Sequence, residues 1–249
     1  MSRRIALWLG IVLLALAGAL VVLPARWLMR ALPAHWPLDI VAAHGTIWSG
    51  SASLAIGNGS NQRTLPDPLR WHWSFGNGPQ LHIEHPWFST PLIVAPTLAG
   101  VKISSQTLRL PAQSLATLDA RIAALEPAGQ IVLNWPSLIL GTQARPVGTP
   151  LLNAEWRAAG SSLTPIRPIG HYRVELRQAA GGAAALVLDT AEGPLMLTGE
   201  GLLDARGHFH FDGRAYADPA AGSTVQAALA DILNALGPRR NDQTLLQYR

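Results

Sequence analysis

The stretch from Ile5 to Leu23 constrains this chain more than any other: nineteen consecutive residues carry no charge, no proline and no asparagine. A helix rises about 1.5 Å per residue, so the run spans ~28 Å, close to the hydrocarbon thickness of a bilayer. A helix also satisfies its own backbone polar groups, as lipid demands. Arg3 and Arg4 precede the run, and Pro24, Arg26 and Arg30 follow it. The sequence therefore predicts one N-terminal transmembrane helix over 5–24, anchored by Ile5, Trp8, Leu9, Val12, Leu16, Leu20 and Leu23. The competing reading is a cleaved signal peptide with Ala17-Gly18-Ala19 as its cleavage site. The run continues unbroken past Ala19, which favours an uncleaved anchor; a mature chain starting at Leu20 would exclude it. Both readings leave residues 1–4 cytoplasmic and carry the body across the membrane.

A juxtamembrane segment (25–40) follows, in which Trp27 and Trp36 suit the headgroup level, where an amphipathic ring is favoured. Pro33 and Pro37 stop the membrane helix from continuing. Residues 41–249 are expected to form the translocated body. Nine Trp, nineteen Pro and twenty-three Gly point there to many short strands and turns. Cysteine is absent, so burial and hydrogen bonding must hold the body together. Of the formal net charge of +4, Arg3 and Arg4 supply two, and the other arginines are scattered. That is no nucleic-acid footprint.

Period-2 alternation places the strands. Gly45–Leu54 alternates throughout and reads as one strand, followed by a turn at Gly57-Asn58-Gly59. Leu69–Phe75 sets Leu69, Trp71, Trp73 and Phe75 on one face and Arg70, His72 and Ser74 on the other. Trp48, Trp71 and Trp73 are then either the core of this first sheet or the lining of an apolar trough. Leu81–His85, Leu92–Ala95, Val101–Ser104, Thr107–Leu110 and Gly129–Trp135 continue the pattern. His171–Gln178, Ala185–Thr190, Leu195–Leu203 and His208–Tyr216, separated by short turns, predict an antiparallel meander, and Gln243–Tyr248 a last short strand.

Two stretches switch to helical period. Ser114–Leu125 carries the stripe Leu115, Leu118, Ile122, Leu125, with Ser114 as N-cap, and Ser223–Leu236 carries Val225, Leu229, Leu233, Leu236, with Gly237 as its stop. The expected fold is thus mainly β: strongly twisted antiparallel sheet with two short helices, after one N-terminal transmembrane helix. A faint correspondence between Leu115–Trp135 and Val225–Tyr248 predicts two similar halves, 41–125 and 129–249.

Little in the chain resembles catalytic machinery. His82, Glu84 and His85 lie together with His72 a strand away, but a metal needs three or four convergent ligands, and His85 points away from the other two. His208 and His210 share a strand face with no carboxylate or third histidine expected beside them. Ser49 lies in no nucleophile elbow, and no glycine-rich loop precedes Lys-Ser or Lys-Thr. Gly199-Glu200-Gly201, a lone fragment inside a strand, reads as a twist or a close backbone approach. No catalytic residue, metal or cofactor is expected.

The order of several short pieces carries a resemblance. Leu32-Pro33-Ala34 follows the apolar run, then Ala43-His44-Gly45-Thr46-Ile47-Trp48-Ser49-Gly50-Ser51-Ala52, Leu69-Arg70-Trp71-His72-Trp73, and later Gly193-Pro194-Leu195 with Gly199-Glu200-Gly201. This order resembles the protein N family of the bacterial type II secretion system over essentially the full length, the Gly-Thr-Ile-Trp-Ser-Gly piece being its most specific part. The resemblance implies a bitopic inner-membrane accessory component of a machine that exports folded proteins from the periplasm across the outer membrane, without enzymatic activity. Its partners would be the bilayer and other inner-membrane or periplasmic components of that machine. The alternative is an AsmA-like periplasmic protein that holds a lipid ligand in an apolar β trough.

Overall fold

The computed structural model describes residues 8, 18, 22–30, 38–57, 63–117, 120–141, 145–240 and 242–248. Trp8 is helical and exposed; Ile5, Leu9, Val12, Leu16 and Leu20 lie outside the described residues, as does Trp36. Among the described residues no helix is long and apolar enough to cross a membrane. The chain divides into two units, residues 1–85 and 86–249, each mainly antiparallel sheet.

The first continuously described stretch of the first unit starts at Val22 and includes a 3-10 turn, Ala25–Arg30; β1 (Leu38–Gly45) opens the next. β1 pairs with β2 (Ser49–Ile56); β2 pairs with β3 (Arg63–Thr64) and β4 (Leu69–Ser74), and β4 with β5 (Gln80–Glu84). The register of β1 on β2 slips between Ile40 and Ala42, so Val41 is a bulge on an outer strand. Trp71, Ala52 and Ala25 form the buried core, with Ile40, Ala43, Leu54, Leu69, Leu81 and Ile83 packed against them.

Gly45–Leu54 is not one strand, which corrects the expectation. The chain reverses at Thr46-Ile47-Trp48. Gly45 has φ +86°, and a β-carbon there would come 2.6 Å from the Ser49 carbonyl oxygen. The Thr46 hydroxyl accepts the N–H groups of Trp48 (3.3 Å) and Ser49 (3.2 Å) and so closes the turn.

The second unit holds β6 (Leu92–Thr97), β7 (Gly100–Ile103), β8 (Gln106–Pro111), β9 (Ala128–Trp135), β10 (Leu138–Leu140), β11 (Pro150–Gly160), β12 (Gly170–Gln178), β13 (Ala184–Glu192), β14 (Leu195–Leu203), β15 (Phe209–Ala217), β16 (Arg239–Arg240) and β17 (Gln243–Tyr248). β7 pairs with both β6 and β10. A nine-stranded antiparallel sheet runs in the order β16-β17-β15-β14-β13-β12-β11-β9-β8. From β11 to β15 each strand pairs with its neighbour in sequence, which is the expected meander with β11 added ahead of it.

Both helix expectations need correction. Ser114–Leu125 is a 3-10 turn, Ala112–Thr117, and a five-residue α-helix, Ala120–Ala124. Ser114 does not cap; it lies inside the turn, and its carbonyl accepts the Thr117 hydroxyl at 2.8 Å. Segments this short form only where tertiary packing supports them, and here Ala112 is buried with Leu110 and Ile131. Ser223–Leu236 is two helices, Ser223–Ala228 and Ala230–Leu236, broken at Leu229. The Leu229 N–H reaches both the Val225 and Gln226 carbonyls (3.1 and 3.3 Å), a tightened turn. The kinked pair buries Leu229, Ile232 and Leu233 against Tyr172, Leu195 and Ala215 of the sheet.

Candidate interaction surface

The residues singled out in the first sheet separate into two roles. Trp71, 6% exposed, is core. Its indole N–H donates to the Ile47 carbonyl at 3.1 Å, so the polar atom of a buried ring is satisfied by the hairpin turn. Trp48 and Trp73 are only half-buried and meet at the same end of the sheet. Their rings contact edge to face with centroids 6.2 Å apart. Phe75 joins them, stacked on Trp73 at 6.2 Å and tilted against Trp48 at 6.3 Å.

Two turns make this end. The first is the β1–β2 turn carrying Trp48. The second follows β4, where Gly76 bridges Gly78 directly after Phe75. The Trp73 N–H donates to the Trp48 carbonyl at 2.8 Å, which holds the two tips side by side. Phe75, the residue after β4, is 61% exposed. Its alternation with Trp71 and Trp73, followed at once by Gly-Asn-Gly, was a legible signal of a ring at a strand end.

The end of the apolar run is bonded to this tip. The Ile47 N–H donates to the Leu23 carbonyl at 3.0 Å, and Pro24 bridges Thr46 in antiparallel fashion. Trp27, named as an interfacial residue, lies in the 3-10 turn that follows and is 63% exposed. No local pattern in the sequence encodes the bond between Leu23 and Ile47.

The histidines are placed differently from expectation in one respect. His72 and His82 are cross-strand partners whose rings stack 4.8 Å apart, and the His85 ring contacts the Asp67 carbonyl at 3.2 Å. A carboxylate does stand beside each of the other two: Asp204 is 2.9 Å from His208 and Asp212 is 2.7 Å from His210. The Asp204 carboxyl is held below its ordinary range, chiefly by the His208 side-chain hydrogen bond. Each histidine thus has its own carboxylate, and among the described residues no group of three or more His, Cys, Asp or Glu could hold a metal.

On the nine-stranded sheet, a shallow groove of about 470 Å³ is lined by the polar residues Asp189, Thr198, Glu200, Asp212, Arg214 and Gln247 and by the apolar Val187, Leu188 and Leu245. Gly199 and Gly213 also line it, with backbone only; the face they would fill is the opposite one, where the Phe211 ring lies. The groove is charged and open, unlike an acyl-chain channel.

A family model described as type II secretion system (T2SS), protein N, matches residues 36–246. No curated protein and no solved structure matches the chain.

Proposed function

We propose a role that starts from what this match establishes: the chain belongs to the type II secretion system protein N family and is a component of that system. In our reading it is a non-catalytic scaffold of the inner membrane. Residues 5–24 cross the bilayer once with the N-terminus in the cytoplasm, and residues 41–249 stand in the periplasm. There they contact other inner-membrane and periplasmic components of the apparatus.

The family match over 36–246 carries this reading. Two further observations support the membrane part. The uncharged run from Ile5 to Leu23 has bilayer length. Its last residue is hydrogen-bonded to the tip of the first sheet, so an anchor would hold that sheet directly at the membrane.

The test is a chain lacking Ile5–Leu23 but exported by a separate signal. It is expected to lose co-purification with the other inner-membrane components. Unchanged assembly would refute the anchored scaffold.

A further inference from the structure

We propose that the paired hairpin tips of the first unit form a membrane-contact platform, in which Phe75, Trp73 and Trp48, together with the exposed Trp27 of the 3-10 turn, rest in the headgroup layer of the bilayer that holds the anchor. The platform rests on the anchored reading above and adds a surface to it.

Covalent continuity and geometry together name the occupant. The apolar run ends at Leu23, and Leu23 is hydrogen-bonded to Ile47, the residue before Trp48. A helix that leaves the hydrocarbon at Leu23 therefore brings the turn at 46–48 to the lipid surface. The Trp73–Trp48 backbone bond brings the second tip to the same level, and the chain runs on two residues to Phe75. Trp27 is three residues past Pro24 in a 3-10 turn, a rise of about 6 Å. Aromatic rings at this depth are favoured because their apolar bodies enter the acyl boundary while N–H groups stay hydrated. Val22, the residue before Leu23, is exposed, as an acyl-facing residue would be, and the exposed Arg26 suits anionic headgroups. A dry sheet core does not account for Phe75, since the core of this unit is built around Trp71 instead.

The same sheet supplies its own control. β2 runs eight residues from Ser49 to Ile56, about 23 Å, and Arg63 pairs with Ile56 at the far end. Arg63 is exposed and should remain in water.

The chain has no cysteine, so single labels are unambiguous. The full-length variants Phe75→Cys, Trp27→Cys and Arg63→Cys would be spin-labelled and reconstituted in vesicles of phosphatidylethanolamine and phosphatidylglycerol. All three positions are exposed, so labelling should leave the fold intact. At 75 and 27 the label is expected to collide more with oxygen than with a water-soluble nickel chelate, and at 63 the order should reverse. A Phe75→Cys label as water-accessible as the one at 63, on protein that still floats with the vesicles after carbonate washing, would overturn the platform alone. A label at 75 shielded from both reagents would mean that protein covers the tip, and would also overturn it. Failure to float would overturn the anchor and the platform together.

Discussion

The Phe211 ring lies across the backbone of Gly199 on the neighbouring strand, so that a β-carbon at Gly199 would come 2.5 Å from Phe211 Cζ. It would also meet the Gly213 Cα at 2.8 Å and the Asp212 carbonyl at 2.9 Å. Phe211 pairs in register with Gly201 and also borders Gly213, so one ring fills the places of three missing side chains. Gly199→Ala is expected to cost about 1–3 kcal/mol in urea unfolding, as overpacking does. Adding Phe211→Leu should recover only part of this, because the two backbone clashes remain. A Gly199→Ala protein as stable as the parent would contradict the packing.

Tyr172 ties the start of β12 to the start of β14: its hydroxyl lies 3.0 Å from the Leu195 carbonyl and 3.3 Å from that of Ile169. Burial raises the phenol pKa above its ordinary value of 10.0. The folded state then holds a proton that the unfolded chain releases, so stability from this group is complete below pH 10.0 and is lost as pH rises further. Tyr172→Phe should cost roughly 1 kcal/mol at neutral pH through the lost hydrogen bond. It should also flatten the decline of stability in alkali. Parallel alkaline declines in the two proteins would show that Tyr172 is not the titrating group.

Trp71 and Trp73 sit two residues apart on one strand face but at different depths. Trp71→Ala should cost about 3–5 kcal/mol, as emptying a buried indole site does. Trp73→Ala should cost clearly less, since its ring is half-exposed. Trp71→Phe should show an intermediate loss, because the Ile47 carbonyl forfeits its donor. Denaturation midpoints of the three variants test this order, and equal losses at 71 and 73 would remove the distinction between core and tip.

Asp204 shapes the turn between β14 and β15, its carboxylate accepting the backbone N–H groups of Arg206 and His208, each at 2.8 Å. Its depressed pKa means that the contribution is present above the ordinary carboxylate range and fades as pH falls through the folded value. Asp204→Asn should therefore lower the thermal midpoint at neutral pH, and the gap to the parent should narrow in acid. A gap that stays constant with pH would leave no role for the charge.

The legible parts of the fold were those with an unbroken local period. Gln243–Tyr248 was readable to both its bounds, and the meander from His171 to Tyr216 was readable from alternation and glycine turns. β11 was missed although it is eleven residues long. Its register breaks between Pro150 and Leu152 and again between Trp156 and Ala159, where Ala158 takes φ +47°, so period 2 holds only over the five residues Leu152–Trp156. Gly45–Leu54 misled in the opposite sense: alternation runs straight through a turn that is set by the Thr46 hydroxyl and the freedom of Gly45. At the tip, the rings of Trp48 and Trp73 were visible in the sequence. The bond that brings Leu23 to Ile47 was not, because it joins residues in different segments and depends on tertiary structure alone.

The bulge at Val41 limits how copies of the protein can meet. Among the described residues β1 is the outermost strand of its unit, and the extra residue puts the amides and carbonyls of its outer edge out of step. Deleting Val41 would even the ladder, and such a variant is expected to form dye-binding fibrils where the parent stays dispersed. If the chain is anchored as proposed above, confinement to the plane of the membrane would make copies collide far more often than copies free in solution. The misstep would then favour separation over stacking when two such edges meet.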